Sequence, residues 1–497
     1  MIFHIIDQHV DAMFDGGILP LIKSLLLDPV PSIQQSASIA LGRLVSHSAQ
    51  VCDSVVSDGF LEILIQHLQL ESKHYKKAAA FVLRSLAKHG ERHAQAVAAS
   101  GAIPPLVACL SESDLSVKES SIWAIGFIAR HSASLAQAVV DCGTVPLLAE
   151  IYKGSEMTLR RISVSTLSDI AKHSEVLTDL VVETGIVPQF IKDIENVDTG
   201  LRRQVSACLS QIGKHSEHTA SLLVRHDMIP RAILALKDAN EHVAKNACTI
   251  IRDVARHNES LAKQVVAGGG IAGLVEYLEG VSIGVNRTPA LAALGNIAGT
   301  SDTLALAVIS GGVIASLSSS LVDEPEDSVR SVTAWVLGQI GRHSPEHARQ
   351  LVDADCLRKL LAVFIHQSSS DELRDKCEAA FKRIVQNVVD VSKLEPLIAG
   401  SAQRLLIFVV KQLAKILSKN SDGRKHFVQS GCLQQLQRVK FEPDSKYASA
   451  IKDLNALYPV ELISYFSPTY PDQLIQKLED FVPPPLTRTE SDDACDP

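Results

Sequence analysis

One histidine position, at the end of an apolar segment, recurs at a fixed interval along this chain. Six histidines follow one another at a spacing of 42 residues: His47, His89, His131, His173, His215 and His257. The next two positions, each 43 residues further on, hold Thr300 and His343, and weaker copies place Asn387 and Asn420 there. A period of about 40 residues is typical of repeat proteins, in which each unit packs only on its neighbours.

Each unit has the pattern of three helices. A Gly or Asp twelve residues after the histidine position, as at Gly143 and Asp227, predicts a tight turn with positive φ between the first two helices. Apolar residues six and three positions before the histidine predict a buried stripe on a longer third helix, as at Leu41 and Leu44. The low aromatic content, 4 %, agrees with a core of Ala, Leu, Ile and Val between packed helices.

This three-helix pattern resembles the armadillo repeat. The resemblance implies an all-α fold, a right-handed superhelical solenoid of about nine three-helix repeats. We expect a short lead-in over residues 1–16, whose brevity predicts an incomplete first repeat, and an array over residues 17–388. A divergent shortened repeat is expected over 389–440, aromatic capping helices over 441–482 and a disordered acidic tail over 483–497.

Composition narrows the classes of function. A formal charge of −8 and a pI near 6.1 argue against a nucleic-acid binder, which is usually basic. The nine cysteines form no C-x-x-C pair, and Cys109, Cys208 and Cys248 fall on apolar helical faces, which predicts a reducing compartment such as the cytoplasm. The beginning of the chain lacks the pattern of a signal peptide, and no apolar run reaches the length of a membrane span, so no membrane insertion is expected.

Residues 340–352, IGRHSPEHARQLV, contain the zinc-hydrolase pattern H-x-x-E-H in His343, Glu346 and His347. Ser344 and Pro345 are suited to begin a new helix, so we expect the two histidines to fall on different helices, where they could not share a metal. GGGIAG at 268–273 matches a dinucleotide-binding pattern, but it lies at the turn of a repeat with no predicted strand before it. We therefore predict no catalytic, metal or cofactor residues; a metallohydrolase centred on His343 is the rival hypothesis.

The repeated histidines are interpreted as structural residues. An imidazole at a helix C-terminus can donate to the last carbonyls of that helix and complement its dipole. This interpretation covers the histidines at the repeat position, namely His47, His89, His131, His173, His215, His257 and His343.

A row of basic residues, called here the basic strip, lies near the start of successive predicted third helices. Its members are Lys76, Lys77, Lys118, Arg160, Arg161, Arg202, Arg203, Lys245, Arg287 and Arg330. Positive charge is unfavourable there by about 0.3–1 kcal/mol per exposed residue, because the helix dipole is positive at that end. Two interpretations stay open: the strip docks an acidic partner, or loop acids such as Asp114, Glu156 and Asp198 neutralise it.

Peptide recognition of the nuclear-import type requires Trp and Asn four residues apart on the same third helices. Here the first position holds Trp123 and Trp335 and the second holds Asn296, and no repeat has both. An import receptor is therefore not predicted.

Three segments make the resemblance to the armadillo repeat more specific: KKAAAFVLRSLAKH (76–89), AWVLGQIGRHSPEHAR (334–349) and YPVELISYFSPTYPDQLIQ (458–476). They resemble the sperm-associated antigen 6 family, the armadillo proteins of the ciliary central apparatus. The resemblance implies a non-enzymatic scaffold, without a cofactor, on a central-pair microtubule of a motile cilium or flagellum. Expected partners are tubulin or acidic central-apparatus proteins, with self-association through ends or convex faces. The alternative is a general cytoplasmic armadillo adaptor that binds an extended peptide in its concave groove.

Overall fold

The computed structural model describes residues 10–481 apart from residues 71, 155, 401, 440, 443 and 444. Over these residues the secondary structure is helical and contains no β-strand. The chain divides into two compact units, Met1–Ser316 and Leu317–Pro497. Within the described part, no single helix is long and apolar enough to span a membrane. Three pairs of consecutive helices, each sharply bent at the break, are long and apolar enough when the two helices are taken together, by length and composition only.

The unit Met1–Ser316 consists of successive groups of two short helices and one long third helix. The third helices are Pro31–His47, Lys73–Lys88, Leu115–Ala129, Met157–Ala171, Thr199–His215, Glu241–His257 and Thr288–Thr300. The first helices are Ala49–Ser57, Glu91–Ala99, Ala133–Asp141, Glu175–Glu183, Glu217–Arg225, Glu259–Ala267 and Asp302–Ser310. The second helices are Ile18–Leu26, Phe60–Gln69, Ile103–Ala108, Thr144–Lys153, Val187–Asp193, Met228–Ala235 and Gly270–Gly280, with 3₁₀ turns at Cys109–Ser111 and Val285–Arg287. The helix Val313–Asp323 contains the boundary of this unit.

The unit Leu317–Pro497 begins with two third helices, Asp327–Gly341 and Asp371–Val385, separated by Pro345–Asp353 and Cys356–Ile365. Two helices, Val391–Ile398 and Gln403–Leu417, follow as a shortened repeat. The remaining helices are Ser421–Gln429, Cys432–Gln437, Lys446–Asn455, Val460–Phe466 and Tyr470–Glu479.

Third helices pack side by side within each unit, and this contact contains the core. In Met1–Ser316 each third helix packs on the next, and in Leu317–Pro497 Asp327–Gly341 packs on Asp371–Val385 in the same way. The predicted stripe is confirmed, because Leu83, Ile125 and Leu167 and their neighbours Leu86 and Ile128 are fully buried. The fold is an armadillo-like repeat solenoid, as the period predicts.

The turns between first and second helices are left-handed, as the sequence predicts. Gly143 has φ 74° and Asp227 has φ 60°. The helices Ala133–Asp141 and Thr144–Lys153 meet at 78° across such a turn. The Gly-rich stretch at 268–273 forms another copy of this turn, with Gly269 at φ 87° directly before the helix Gly270–Gly280.

The region predicted as aromatic capping helices, 441–482, contains two kinds of helix. Lys446–Asn455 packs on Gln403–Leu417 and buries Tyr447, Ile451 and Leu454. Val460–Phe466 and Tyr470–Glu479 contain no buried residue, and Leu478 is 70 % exposed. Burial therefore favours Lys446–Asn455 as the element that covers the preceding third helix. The first nine residues of the lead-in and the tail 483–497 lie outside the described residues.

Three of the repeated histidines connect consecutive repeats, whereas Nε2 of His89 and His215 is buried without a hydrogen-bond partner. Nε2 of His131, His173 and His257 lies 2.7, 2.8 and 2.9 Å from a backbone carbonyl 44 residues earlier in the chain. A carbonyl only accepts, so the imidazole donates, and the acceptor is an orphan carbonyl at the end of the preceding third helix. The sequence pattern predicts an acceptor in the histidine's own helix. Side-by-side packing instead brings the imidazole to the neighbouring helix end.

Asn387, at the same repeat position in Leu317–Pro497, replaces the imidazole with an amide. Its Nδ2 donates to the carbonyl of Gly341 over 2.9 Å. An asparagine can therefore make the same inter-repeat bond without a group that titrates near neutral pH.

Burial of the repeated imidazoles predicts a pH-dependent stability. Burial lowers the pKa of His89, His173 and His215 below the ordinary value, although backbone carbonyls oppose the shift. Because the unfolded chain binds protons more readily, stability is complete above about pH 6.5 and is lost as the pH falls toward the folded pKa values. We expect the triple variant His89→Asn/His173→Asn/His215→Asn to lose less in Tm between pH 7.5 and pH 5.5 than the unmodified chain. Equal losses in thermal melts would contradict the prediction.

Candidate partner-binding surface

All ten residues of the basic strip lie at or near the beginning of third helices. Nine belong to Met1–Ser316 and Arg330 belongs to Leu317–Pro497. Their side chains differ in what they contact, and this difference decides which of them can meet a partner.

Several strip residues bind a carboxylate in the loop before the next third helix. Nε of Arg161 donates to Asp198 over 2.8 Å, and Arg202 donates to both carboxylate oxygens of Asp238 over 2.7 and 3.2 Å. Lys76 pairs with Glu112 in the same manner. The pairs join residues about one repeat apart, so each holds two consecutive repeats together.

Asp198 also begins a helix. Its carboxylate accepts from the backbone N–H of Leu201 over 2.6 Å, as the N-cap of Thr199–His215, while it accepts from Arg161. The hydrogen bond from Arg161 is the main cause that lowers the pKa of Asp198. The unfavourable position of Arg161 near its own helix N-terminus is thus offset by the acidic cap of the next repeat.

Arg160 belongs to a more buried network. Its guanidinium lies 2.5 Å from Asp193, which also accepts from the hydroxyl of Tyr152 over 2.7 Å and from Gln189 over 3.1 Å. Burial alone would raise the pKa of Asp193, but these donors lower it overall. Only 8 % of the Asp193 side chain is exposed, so the network stabilises the repeat and offers no charge to a partner.

Three further strip residues have polar partners. Lys245 donates to Asn286 over 3.2 Å, Arg287 is buried and donates to Ser316 over 3.3 Å, and Arg330 donates to the carbonyl of Glu324 over 2.7 Å.

The side chains of Lys77, Lys118 and Arg203 make no hydrogen bond or ion pair with the described part of the chain. Lys77 and Arg203 are exposed, and Lys118 is half-buried. Of the predicted acids, Asp114 pairs with Lys73 over 3.1 Å and Asp198 pairs with Arg161, whereas Glu156 forms no ion pair with any described residue. The geometry therefore divides the strip into seven residues with intramolecular partners and three without one among the described residues.

A cluster of aromatic rings and arginines was not predicted. Trp123 and Phe127 stack at 5.9 Å, and the guanidinium of Arg84 lies 4.8 and 5.7 Å from their ring centres. Arg130 covers Phe127 at 5.6 Å. Trp123 and Phe127 at i and i+4 are visible in the sequence, but the contact with Arg84 depends on which face of the preceding third helix points toward them.

The H-x-x-E-H residues do not form a common site on one helix. The predicted break is confirmed, since one helix ends at Gly341 and the next begins at Pro345. The Ser344 hydroxyl lies 2.6 Å from Nδ1 of His347, and Glu346 accepts from Arg349 over 2.7 Å. Within residues 10–481 as described, no group of three or more His, Cys, Asp or Glu side chains is placed to hold a metal ion.

The division of the strip predicts which cations stabilise the fold. We expect Arg202→Gln to lower the free energy of unfolding by about 1–3 kcal/mol, because it leaves a poorly exposed Asp238 carboxylate without its partner. Arg203→Gln, at the adjacent exposed position, should change it by less than about 0.5 kcal/mol. Urea denaturation checks both values, and similar losses in the two variants would contradict the assignment. Adding Asp238→Asn to Arg202→Gln should recover part of the loss.

Comparisons with known proteins agree with this fold. Residues 90–130 match the armadillo/beta-catenin-like repeat and residues 18–48 match the HEAT repeat. A crystal structure of an engineered protein superimposes with a TM-score of 0.71 at 20 % identity, covering 89 % of this chain and 98 % of that one. At this identity the likeness concerns the fold alone.

Sperm-associated antigen 6 from Homo sapiens and its counterpart from Mus musculus are each 41 % identical to this chain over 167 residues. The alignment covers 34 % of this chain and 33 % of each relative, so it spans about a third of their length. The chain is therefore an armadillo-like repeat solenoid that is similar, over a third of its length, to sperm-associated antigen 6.

Proposed function

We propose that this chain is a non-enzymatic armadillo scaffold of the axonemal central apparatus, needed for ciliary or flagellar motility. The observation that carries the proposal is the 41 % identity to sperm-associated antigen 6 over 167 residues. The proposed location is the cytoskeleton of the cilium or flagellum, and the proposed role is to bind or stabilise a central-pair microtubule. Tubulin or an acidic central-apparatus protein is the proposed partner.

The docking surface in this proposal is the part of the basic strip that has no intramolecular partner. Lys77, Lys118 and Arg203 lie on the third helices Lys73–Lys88, Leu115–Ala129 and Thr199–His215 of one unit. Cations without an intramolecular partner attract an acidic surface over distances near the Debye length and so raise the association rate. The paired members of the strip keep the helices that carry them in register.

A cytoplasmic adaptor that binds an extended peptide remains the second candidate, supported by the half-buried rings of Trp123 and Phe127, which stack on one third helix. Localisation separates the two. An axonemal signal supports the scaffold, whereas diffuse cytosolic staining in a ciliated cell supports the adaptor.

Sedimentation with microtubules tests the docking surface. We expect Lys77→Glu/Lys118→Glu/Arg203→Glu to weaken pelleting about tenfold or more, since each exposed ion pair contributes about 0.2–1 kcal/mol and reversal adds repulsion. Binding by the unmodified chain should decrease with salt and with removal of the acidic tubulin tails.

The matched control reverses the same number of charges elsewhere. Lys411, Lys415 and Lys419 are exposed on and just beyond Gln403–Leu417 and form no ion pair with described residues, so their reversal to Glu should leave pelleting unchanged. Equal effects of both triple variants would exclude specific docking through the strip. No pelleting of the unmodified chain at any salt concentration would exclude direct microtubule binding.

A further inference from the structure

Serine or threonine directly followed by proline occurs three times in the sequence, at Thr288, Ser344 and Ser467. This dipeptide is the minimal recognition element of proline-directed protein kinases, which transfer a phosphate from ATP to the hydroxyl before the proline. A kinase holds the segment that it modifies in an extended conformation, because the acceptor oxygen must lie in line with the transferred phosphorus. The three copies differ in how closely they meet this requirement.

The copy at Thr288 is part of a buried helix start. Thr288 has helical φ and ψ angles of −52° and −46°, and it is the first residue of the helix Thr288–Thr300. The proline that follows, Pro289, is buried in that helix. An extended conformation at this position therefore requires the first turn of a packed third helix to unfold.

The copy at Ser344 is held by the next repeat. Its hydroxyl lies 2.6 Å from Nδ1 of His347, which is itself buried. The helix that begins with the proline, Pro345–Asp353, packs on Asp327–Gly341. A kinase would have to lift this helix from the core to enclose the acceptor.

The copy at Ser467 lies in an exposed turn. Ser467 follows the helix Val460–Phe466 with an extended backbone, φ −65° and ψ 137°, and the helix Tyr470–Glu479 begins three residues later. Neither helix contains a buried residue, and Pro468 and Thr469 are exposed. The Ser467 hydroxyl lies 2.9 Å from that of Thr469 and accepts from its backbone N–H over 3.3 Å. A kinase can therefore bind this segment without opening the packed core.

Aromatic contacts keep this turn in its extended form. The ring of Tyr465 lies 5.4 Å from the ring of Phe466 and 5.4 Å from that of Tyr470. The second contact joins the two helices across Ser467. A segment that is already extended loses less conformational entropy on entering a binding cleft than a flexible one does.

We propose that Ser467 is a phosphorylation site for a proline-directed serine/threonine kinase. The Ser467 hydroxyl oxygen attacks the γ-phosphorus of ATP, and the bond from that phosphorus to the β–γ bridging oxygen breaks. The hydroxyl proton passes to a carboxylate of the kinase, and ADP leaves.

The phosphate changes the character of the surface around the turn. It carries about −1.5 to −2 charge at neutral pH, whereas the apolar side chains on the flanking helices, such as Tyr465 and Leu478, are exposed. Phosphorylation thus disfavours an apolar contact at these helices and favours a basic one. The proposal does not rest on the ciliary role, because it uses none of the residues of the proposed docking surface.

Phosphorylation of the folded, full-length chain by a recombinant proline-directed kinase of the mitogen-activated class tests the site, with each acceptor quantified by mass spectrometry. Synthetic peptides covering residues 461–473, 282–294 and 338–350 give the rate that each sequence supports without protection by the fold. We expect Ser467 in the chain to react within about threefold of its peptide. Thr288 and Ser344 should react at least about a hundredfold more slowly than theirs, since packed helices open rarely.

Single substitutions identify the acceptor and the recognition element. Ser467→Ala and Pro468→Ala should each remove most of the phosphate incorporated by the folded chain, and the matched control Ser344→Ala should leave it unchanged. The proposal is overturned if the Ser467 peptide is not a substrate, if Ser467 is protected in the chain as strongly as Ser344, or if Pro468→Ala has no effect. Microtubule pelleting is measured on the unphosphorylated chain, so failure at Ser467 does not imply failure of the scaffold.

Discussion

Burial of the third-helix stripe against the neighbouring third helix is the interaction on which the rest of this structure depends. A single repeat exposes that stripe, whereas in the stack Ile125 and Leu167 have no solvent contact. The close approach of neighbouring third helices needs small residues. The carbonyls that accept hydrogen bonds from His131 and His257 accordingly belong to Ala87 and Gly213. The polar bonds between repeats are thus a consequence of apolar packing.

The same packing gives the basic residues two different roles. Where the next repeat presents an acid to the helix start, as Asp198 does to Arg161 and Asp238 to Arg202, the cation connects repeats. Where no acid is presented, as at Lys77 and Arg203, the cation stays in solvent. A scaffold can therefore carry many basic residues and still offer only a few to a partner.

The period and the apolar stripe allow the third helices to be predicted from sequence, because both are properties of one helix and its own spacing. The turn at Asp227 is predictable for the same reason, since a positive φ is a local requirement. The contacts between repeats are harder to predict from the sequence. The acceptor of His173 lies 44 residues away, and the stack of Arg84 on Trp123 depends on the rotation of two helices about their axes.

Zero-length carbodiimide crosslinking of the microtubule-bound chain, read by mass spectrometry, most directly tests which basic residues pair within the chain and which bind the partner. It joins a lysine only to a carboxylate in direct contact. The account predicts the internal links Lys76–Glu112 and Lys73–Asp114, and links from Lys77 and Lys118 to carboxylates of the partner. Links from Lys76 to the partner, or Lys77 and Lys118 left without any partner link while other lysines form them, would contradict it.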